Sequence, residues 1–162
     1  MSTSNQSELN QWLSKDLTYT YHCSPFIKRL FEADKGLEQS SLQHISHPFT
    51  RQEMESWLDD RQISDEISLN KSLRKLRQLV IANIILRDLN KLADLDEVLK
   101  SVTALAEIAL LHAHQFHFNS LKSMHGSPVG LNGQEQQLII VAMGKLGGEE
   151  LNVSSDIDLI FV

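Results

Sequence analysis

The spacing of apolar residues changes near residue 126, and this change constrains the fold more than any other feature. Up to about residue 118, apolar side chains recur at three- and four-residue intervals, which is typical of amphipathic helices. Residues 123–137 indicate a loop by their turn-forming content, namely Gly126, Pro128, Gly130 and Gly133. Two short apolar runs follow, at 138–142 and 156–162, and each predicts a buried strand. We therefore expect an α+β fold, with a helical region over 1–125, a linker over 126–137 and the first strands of a second domain over 138–162.

Capping signals and apolar stripes predict the helices within the first region. Three helices have recognisable N-caps and are expected to end near residues 33, 60 and 118; the capping residues are Ser24, Thr50 and Asp94. Glu53 and Glu97 complete two capping boxes. The strongest stripe predicts a further helix from about residue 65 to about residue 92, packed antiparallel to the helix that follows it.

Composition and charge narrow the class of protein. No run of eighteen apolar residues occurs and residues 1–11 are polar, so neither a membrane span nor a secretory signal is predicted. Cys23 is the only cysteine, which excludes an internal disulfide and fits a cytoplasmic location. The net charge is −6, and the one basic stretch is short: Lys71, Arg74, Lys75 and Arg77. Because nucleic-acid binding needs a broad cationic surface, a small nucleotide or a protein target is favoured over a nucleic acid.

A pair of aspartates near the end of the chain is the candidate catalytic feature. Asp156 and Asp158 stand two positions apart at the start of the second predicted strand. Because alternate strand residues point to the same face, the two carboxylates are expected on one face, roughly 6–7 Å apart at the backbone. Carboxylates arranged in this way can hold divalent cations for phosphoryl or nucleotidyl transfer.

The turn before these aspartates has the residues of a phosphate-binding loop. Gly147 and Gly148 are expected to expose backbone amides at the start of a short helix, which suits an anion. Ser154 and Ser155 offer hydroxyl donors, and Lys145 offers a positive charge. The spacing excludes a P-loop and a dinucleotide-binding loop. A purely structural interpretation stays open, in which the turn is tight and the aspartates only cap a strand.

The string from Met143 to Phe161, MGKLGGEELNVSSDIDLIF, resembles the signature of bacterial glutamine synthetase adenylyltransferase/adenylyl-removing enzymes. These are bifunctional proteins with two nucleotidyltransferase domains of the DNA polymerase β superfamily. Residues 73–77 and 87–89 are similar, more loosely, to the family's helical Leu-Arg-rich and Arg-Asp-Leu segments. The form Asn152-Val-Ser-Ser-Asp156 is similar to the N-terminal of the family's two motif copies.

The resemblance implies adenylyl removal, in which inorganic phosphate attacks the AMP–tyrosine phosphodiester of glutamine synthetase and releases ADP. Gly147, Gly148 and Ser155 would hold phosphate, and Asp156 and Asp158 would bind Mg²⁺. Implied partners are glutamine synthetase, ATP or ADP, phosphate and a PII-type regulatory protein. Superfamily members use a third carboxylate on a later strand, so we expect this chain to be a truncated fragment that is inactive alone.

Several other side chains have a structural and a functional interpretation. The histidines at 44, 47, 112, 114 and 117 lack the spacing of a zinc site, and no metal role is expected for them. Trp12, in a short amphipathic piece, and Trp57 are predicted core anchors, with a partner contact as the alternative. Arg74 and Arg77 form either a solvated face or the wall of a nucleotide cleft or regulator contact.

Two alternatives to this function stay open. In the first, the chain is a helical protein-interaction module whose motif is vestigial. In the second, it is a minimal nucleotidyltransferase that acts on another acceptor. Residues 159–162 are expected to form an unpaired apolar edge strand that is prone to aggregation.

Overall fold

The computed structural model describes residues 17–162, so the predicted amphipathic piece around Trp12 lies outside the described residues. A helical stretch covers residues 17–23. Five helices follow: α1 (Pro25–Ala33), α2 (Lys35–Gln43), α3 (Arg51–Asp59), α4 (Glu66–Leu89) and α5 (Leu95–His125). A strand β1 (Ile140–Met143), a single helical turn α6 (Gly144–Gly147) and a strand β2 (Asp158–Phe161) complete the chain. The predicted α+β fold class is confirmed, because a mostly helical chain ends in a small antiparallel sheet.

Side-chain caps fix where the helices begin, as the local sequence predicts. The Ser24 hydroxyl accepts a hydrogen bond from the amide of Ile27, with Pro25 in the first turn of α1. Thr50 and Glu53 form the predicted reciprocal capping box of α3. Asp65 caps α4 through the amide of Ser68. These bonds satisfy backbone amides that have no partner within the helix.

The helices share one apolar core with α4 at its centre. Residues of α4 and α5 bury their facing sides against each other, and α2 and α3 also pack on α4. Helices α1 and α3 add further fully buried side chains to this core: Ile27, Phe31, Met54 and Leu58. The half-buried Trp57 packs against the same core, which confirms its predicted anchoring role. None of the helices in the described part of the chain combines the length and apolar content needed to cross a bilayer.

A buried arginine ties three segments together at one end of the core. Arg87 is 5% exposed, and its Nε and Nη2 donate to the two carboxylate oxygens of Glu97 at 2.7 and 2.8 Å. Nη1 also donates to the carbonyl of Ile45 at 2.6 Å, and Nη2 to that of Leu92 at 2.8 Å. Such a charge tolerates burial because four of its five N–H donors meet acceptors and one acceptor is a carboxylate. Since Arg87 lies in the last turn of α4 and Glu97 in the first turn of α5, the contact also fits the predicted antiparallel packing of the two helices.

This arginine explains why one predicted capping box is incomplete. The Asp94 side chain accepts from the amide of Glu97 as expected. The Glu97 side chain does not return a bond to residue 94, however, because it is held by Arg87. Helix α5 is also longer than predicted, and ends at His125 rather than near residue 118. Gly126, with φ +80°, stops it and donates its amide to the carbonyl of Lys122.

The two strands pair antiparallel, with Met143 opposite Asp158 and Ile140 opposite Phe161. The prediction that residues 159–162 stay unpaired was therefore wrong. The prediction of two buried strands was wrong as well, since only alternate residues of β1 are half-buried and most of β2 is exposed. One face of the sheet is directed toward the helical core through Ala142 and Leu159, and the other has no covering element among residues 17–162.

Helix α5 ends where the predicted linker begins. Residues 126–139 contain one isolated bridge, between Val129 and Glu135, and otherwise no regular structure. Both Ala142 of β1 and Leu159 of β2 pack against the helical core. The division of the chain into two domains stays a prediction.

Candidate functional site

The glycine-rich segment forms a single helical turn, and two buried leucines hold it against the core of the helices. Leu146 within α6 is 3% exposed and Leu151 after it is 1% exposed, and both belong to the core of the helices. A Cβ placed on Gly147 would come within 2.7 Å of the carbonyl oxygen of Ala142. No side chain fits that gap, so Gly147 allows the turn to fold back onto the end of β1.

The turn uses its own amides differently from the prediction. Gly147 and Gly148 lie at the end of the short helix, not at its start. The Gly148 amide donates to the carbonyl of Gly144 at 3.0 Å, and the Glu150 amide donates to that of Lys145 at 2.7 Å. The expectation that the Gly-Gly pair opens a helix with free amides was wrong, because the turn closes on itself. Lys145 is exposed on this turn.

Asp158 lies directly beside the turn. A Cβ built on Gly144 would be 3.0 Å from Oδ2 of Asp158, and Gly144 has φ +54°. A glycine at this position therefore leaves the space that the carboxylate occupies, and also tolerates the left-handed backbone. The sequence motif drew attention to Gly147 and Gly148, but Gly144 is the glycine that contacts an aspartate.

The two aspartates are placed differently with respect to β2. Leu159 of β2 packs against the core, so the neighbouring Asp158 points to the opposite, exposed face of the strand. Asp156 is also exposed and lines a groove against α4 and α5 together with Ser155 and Ile157, so the shared face expected for the two carboxylates stays a prediction. Asp156 precedes β2 rather than belonging to it, which corrects the predicted start of the strand.

The donor set of this pair suits a hard divalent cation. Within residues 17–162 neither carboxylate accepts a hydrogen bond or joins an ion pair, so all four oxygens are available. Mg²⁺ prefers oxygen ligands and is commonly held by one or two carboxylates together with substrate phosphates. Among the described residues, no histidine, cysteine or further carboxylate lies close enough to the two aspartates to serve as a third protein ligand. The pair therefore fits a Mg²⁺ ion whose remaining ligands come from a substrate and from water.

The two serines differ in what they can contribute. Ser154 donates its hydroxyl to Oδ1 of Asn152 at 2.9 Å, and its amide donates to the same oxygen at 3.0 Å. Ser155 accepts from the amide of Asn152 at 3.1 Å, which leaves its own hydroxyl hydrogen free. Asn152 therefore shapes the loop, a role that sequence reasoning missed. An asparagine two residues before a serine is a signal for such a side-chain-closed turn.

A groove connects the loop with the helices. It has a volume of about 600 Å³ and runs between α4, α5 and residues 151–157. Ser155 and Asp156 line it from the loop, and Arg74 and Arg77 line it from α4. Both arginines are exposed as well as lining this groove, so their role as a solvated face, a nucleotide cleft or a regulator contact stays a prediction.

Comparison with known proteins identifies the family. The family model described as glutamate-ammonia ligase adenylyltransferase matches residues 14–162. A relative from Nitrosomonas eutropha is 46% identical over 144 residues, which are 86% of this chain and 16% of the relative. A relative from Aromatoleum aromaticum is 39% identical over 150 residues, which are 93% of this chain and 16% of the relative. Both are described as bifunctional glutamine synthetase adenylyltransferase/adenylyl-removing enzymes.

The chain thus spans 16% of the length of these curated relatives. The match nevertheless runs through the helices, the glycine turn and both aspartates, without leaving out any element that the structure describes. We conclude that this chain belongs to the glutamate-ammonia ligase adenylyltransferase family.

Proposed function

We propose that this chain carries part of an adenylyl-removing site that acts on adenylylated glutamine synthetase. The observation that supports this most directly is the placement of Asp158 against Gly144, with Asp156 two residues before it and neither carboxylate bonded to a partner among residues 17–162. Free carboxylates beside a tight turn suit phosphoryl chemistry, where positioning and charge neutralisation supply most of the catalysis. The names of the relatives support glutamine synthetase as the substrate.

In the proposed reaction an oxygen of inorganic phosphate attacks the phosphorus of the AMP–tyrosine diester. The bond from that phosphorus to the tyrosine oxygen breaks, ADP leaves, and the tyrosine oxygen takes up a proton. Asp156 and Asp158 would hold Mg²⁺, which when bound supplies positive charge to the phosphate oxygens.

The residues of the turn and loop position the phosphate groups in this proposal. The free hydroxyl hydrogen of Ser155 can donate to a phosphate oxygen, and the exposed ammonium of Lys145 supplies a charge. Gly147 keeps the turn close to β1, and neither Gly147 nor Gly148 has a side chain that would hinder a phosphate from approaching the backbone. Ser154 contributes through the loop conformation that it stabilises with Asn152.

The wider setting is also part of the proposal. A cytoplasmic, multifunctional protein that uses ATP in the opposite, adenylylating reaction would carry this site, under control of a PII-type regulator. The described residues bring no third metal ligand to the two aspartates. We therefore expect that the 162-residue chain alone, supplied with Mg²⁺ and phosphate, releases no ADP from adenylylated glutamine synthetase.

The decisive experiment uses a chimera in which this sequence replaces the matching segment of the Nitrosomonas eutropha relative. The substitutions Asp156→Asn and Asp158→Asn in the chimera should each lower the rate of ADP release at least about a hundredfold, by removing charge at the reacting phosphate. The rate of adenylylation with ATP, measured on the same preparation, should stay within about twofold and serves as the control for folding.

The outcome separates this proposal from its alternatives. If ADP release is unchanged in both variants, the motif is vestigial and the helical region serves as a protein-interaction module. If adenylylation is lost while ADP release persists, the site belongs to the opposite reaction.

A further inference from the structure

Helix α4 presents two arginines whose charges have no partner in the described structure. Arg74 and Arg77 are exposed, and neither forms an ion pair within residues 17–162. Their neighbour Lys75 behaves differently, because it forms an ion pair with Asp34 at the end of α1. The arginines are three positions apart and therefore lie on one side of the helix.

Both arginines line the groove that also contains Asp156. Asn70 precedes Arg74 by one helical turn and lines the same groove. Apolar residues complete the lining, among them Leu105 of α5 and Leu151 of the loop. The groove therefore brings two arginines of α4 and one aspartate of the loop to a single, partly apolar space, yet no ion pair joins them in the described structure.

This arrangement of charge suits an anion that lies between a metal ion and the helix. A cation held by Asp156 and Asp158 would attract phosphate oxygens on its open side. The planar guanidinium of arginine offers parallel donors that match phosphate oxygens.

We propose that Arg74 and Arg77 bind a phosphate group of the reactants and hold it against the metal site at Asp156 and Asp158. This inference rests on the proposed function, because it takes the metal site as given. It assigns to the helical region a direct part in substrate binding, through two positioning residues outside the glycine–serine–aspartate motif. The phosphate belongs either to free orthophosphate or to the nucleotide, and the two sources share the chemistry that the groove recognises.

The test is a titration of the isotopically labelled 162-residue chain followed by NMR. Inorganic phosphate and AMP are added separately in the presence of Mg²⁺, and the side-chain Nε–Hε signals of Arg74 and Arg77 are recorded. We expect saturable shifts of both signals. Tighter binding of phosphate than of AMP would assign the groove to the attacking phosphate, and the reverse would assign it to the nucleotide.

Variants of α4 provide the controls. Arg74→Gln and Arg77→Gln should each weaken binding about tenfold, because a charge-assisted contact to phosphate is lost. Lys71→Gln is the matched control, since Lys71 is an exposed cation of the same helix that does not line the groove, and it should leave affinity within about twofold. Unshifted arginine signals with both probes, or equal affinities in the glutamine variants and the unsubstituted chain, would overturn the inference.

A second measurement on the same samples tests the metal site separately. Replacing Mg²⁺ by paramagnetic Mn²⁺ should broaden the backbone signals of Asp156 and Asp158 and leave those of Lys71 sharp. Broadening of the aspartate signals without shifts of the arginine signals would contradict the role of the arginines but not the proposed function. Arginine shifts without broadening would contradict the metal site and hence the proposed function.

Discussion

Gly147 and Gly148 are adjacent residues with different structural requirements. A Cβ on Gly147 would meet the carbonyl oxygen of Ala142 at 2.7 Å, whereas a Cβ on Gly148 has nothing closer than 3.6 Å. Gly148 has φ −92°, which any residue adopts. The two positions therefore form a matched pair for substitution.

We predict that Gly147→Ala lowers the free energy of unfolding by about 1–3 kcal/mol, because the turn must move away from β1 to relieve the overlap. Gly148→Ala should change it by less than about 0.5 kcal/mol. Urea denaturation of both variants measures the difference. Equal effects would contradict the close approach of the turn to Ala142.

At this scale the sequence singles out candidate residues more readily than it predicts their contacts. Asp156, Asp158 and Ser155 could be singled out because a short motif contains them all. The contact of Gly144 with Asp158 depends on the strand pairing that brings residue 158 back beside the turn, and no local pattern reports it. Glu97 could not be assigned to Arg87 for the same reason, since a local capping bond and a distant ion pair compete for one side chain.

Among the elements, the two strands differ most from expectation. Apolar content predicts a strand but does not tell which face is covered. Val141, Met143 and Ile160 are 39%, 44% and 48% exposed on the face away from the helices, while Leu159 faces the core. Helix starts were easier to predict, because a cap such as Ser24 or Thr50 acts within one turn. The end of α5 was harder, because the helix continues past its apolar stripe until Gly126.

The exposed face of β2 gives a prediction about self-association. An apolar row on an uncovered sheet face promotes contact between copies. Ile160→Lys should reduce concentration-dependent light scattering and change the free energy of unfolding by less than about 0.5 kcal/mol. Leu159→Lys, one residue away, should instead lower that free energy by about 1–3 kcal/mol, because its side chain packs on the helices. Unchanged scattering in Ile160→Lys would contradict the role of this face.

For the whole molecule, stability should depend on pH through a half-buried histidine. His44 lies against Phe49, with ring centroids 4.5 Å apart. Burial, and then the charge of His47, lower the pKa of His44 below its ordinary value of 6.5, against a weaker opposing effect of Glu53. A lowered pKa means that the unfolded chain binds the proton more readily than the folded one. The contribution of His44 to stability is therefore complete above about pH 6.5 and is lost as the pH falls through the lowered pKa.

We predict a lower urea midpoint at about pH 5.5 than at about pH 7.5, a window that lies above the ordinary carboxylate range. His44→Gln should flatten this dependence, because the titrating group is gone. The measurement is the difference in midpoint between the two pH values for each protein. An equal difference in both would remove His44 as the cause.

The burial of Leu146 and Leu151 in the helical core has a consequence for how the protein responds to its surroundings. Leu146 and Leu151 hold the loop with the two carboxylates in place, and they pack in the same core as α4 and α5. A molecule that bound the outside of these helices and shifted one along the other would carry the acidic pair with it. In the proposed function, the rate of ADP release would then change when a molecule binds to these helices far from the phosphate, without any hinge or moving lid.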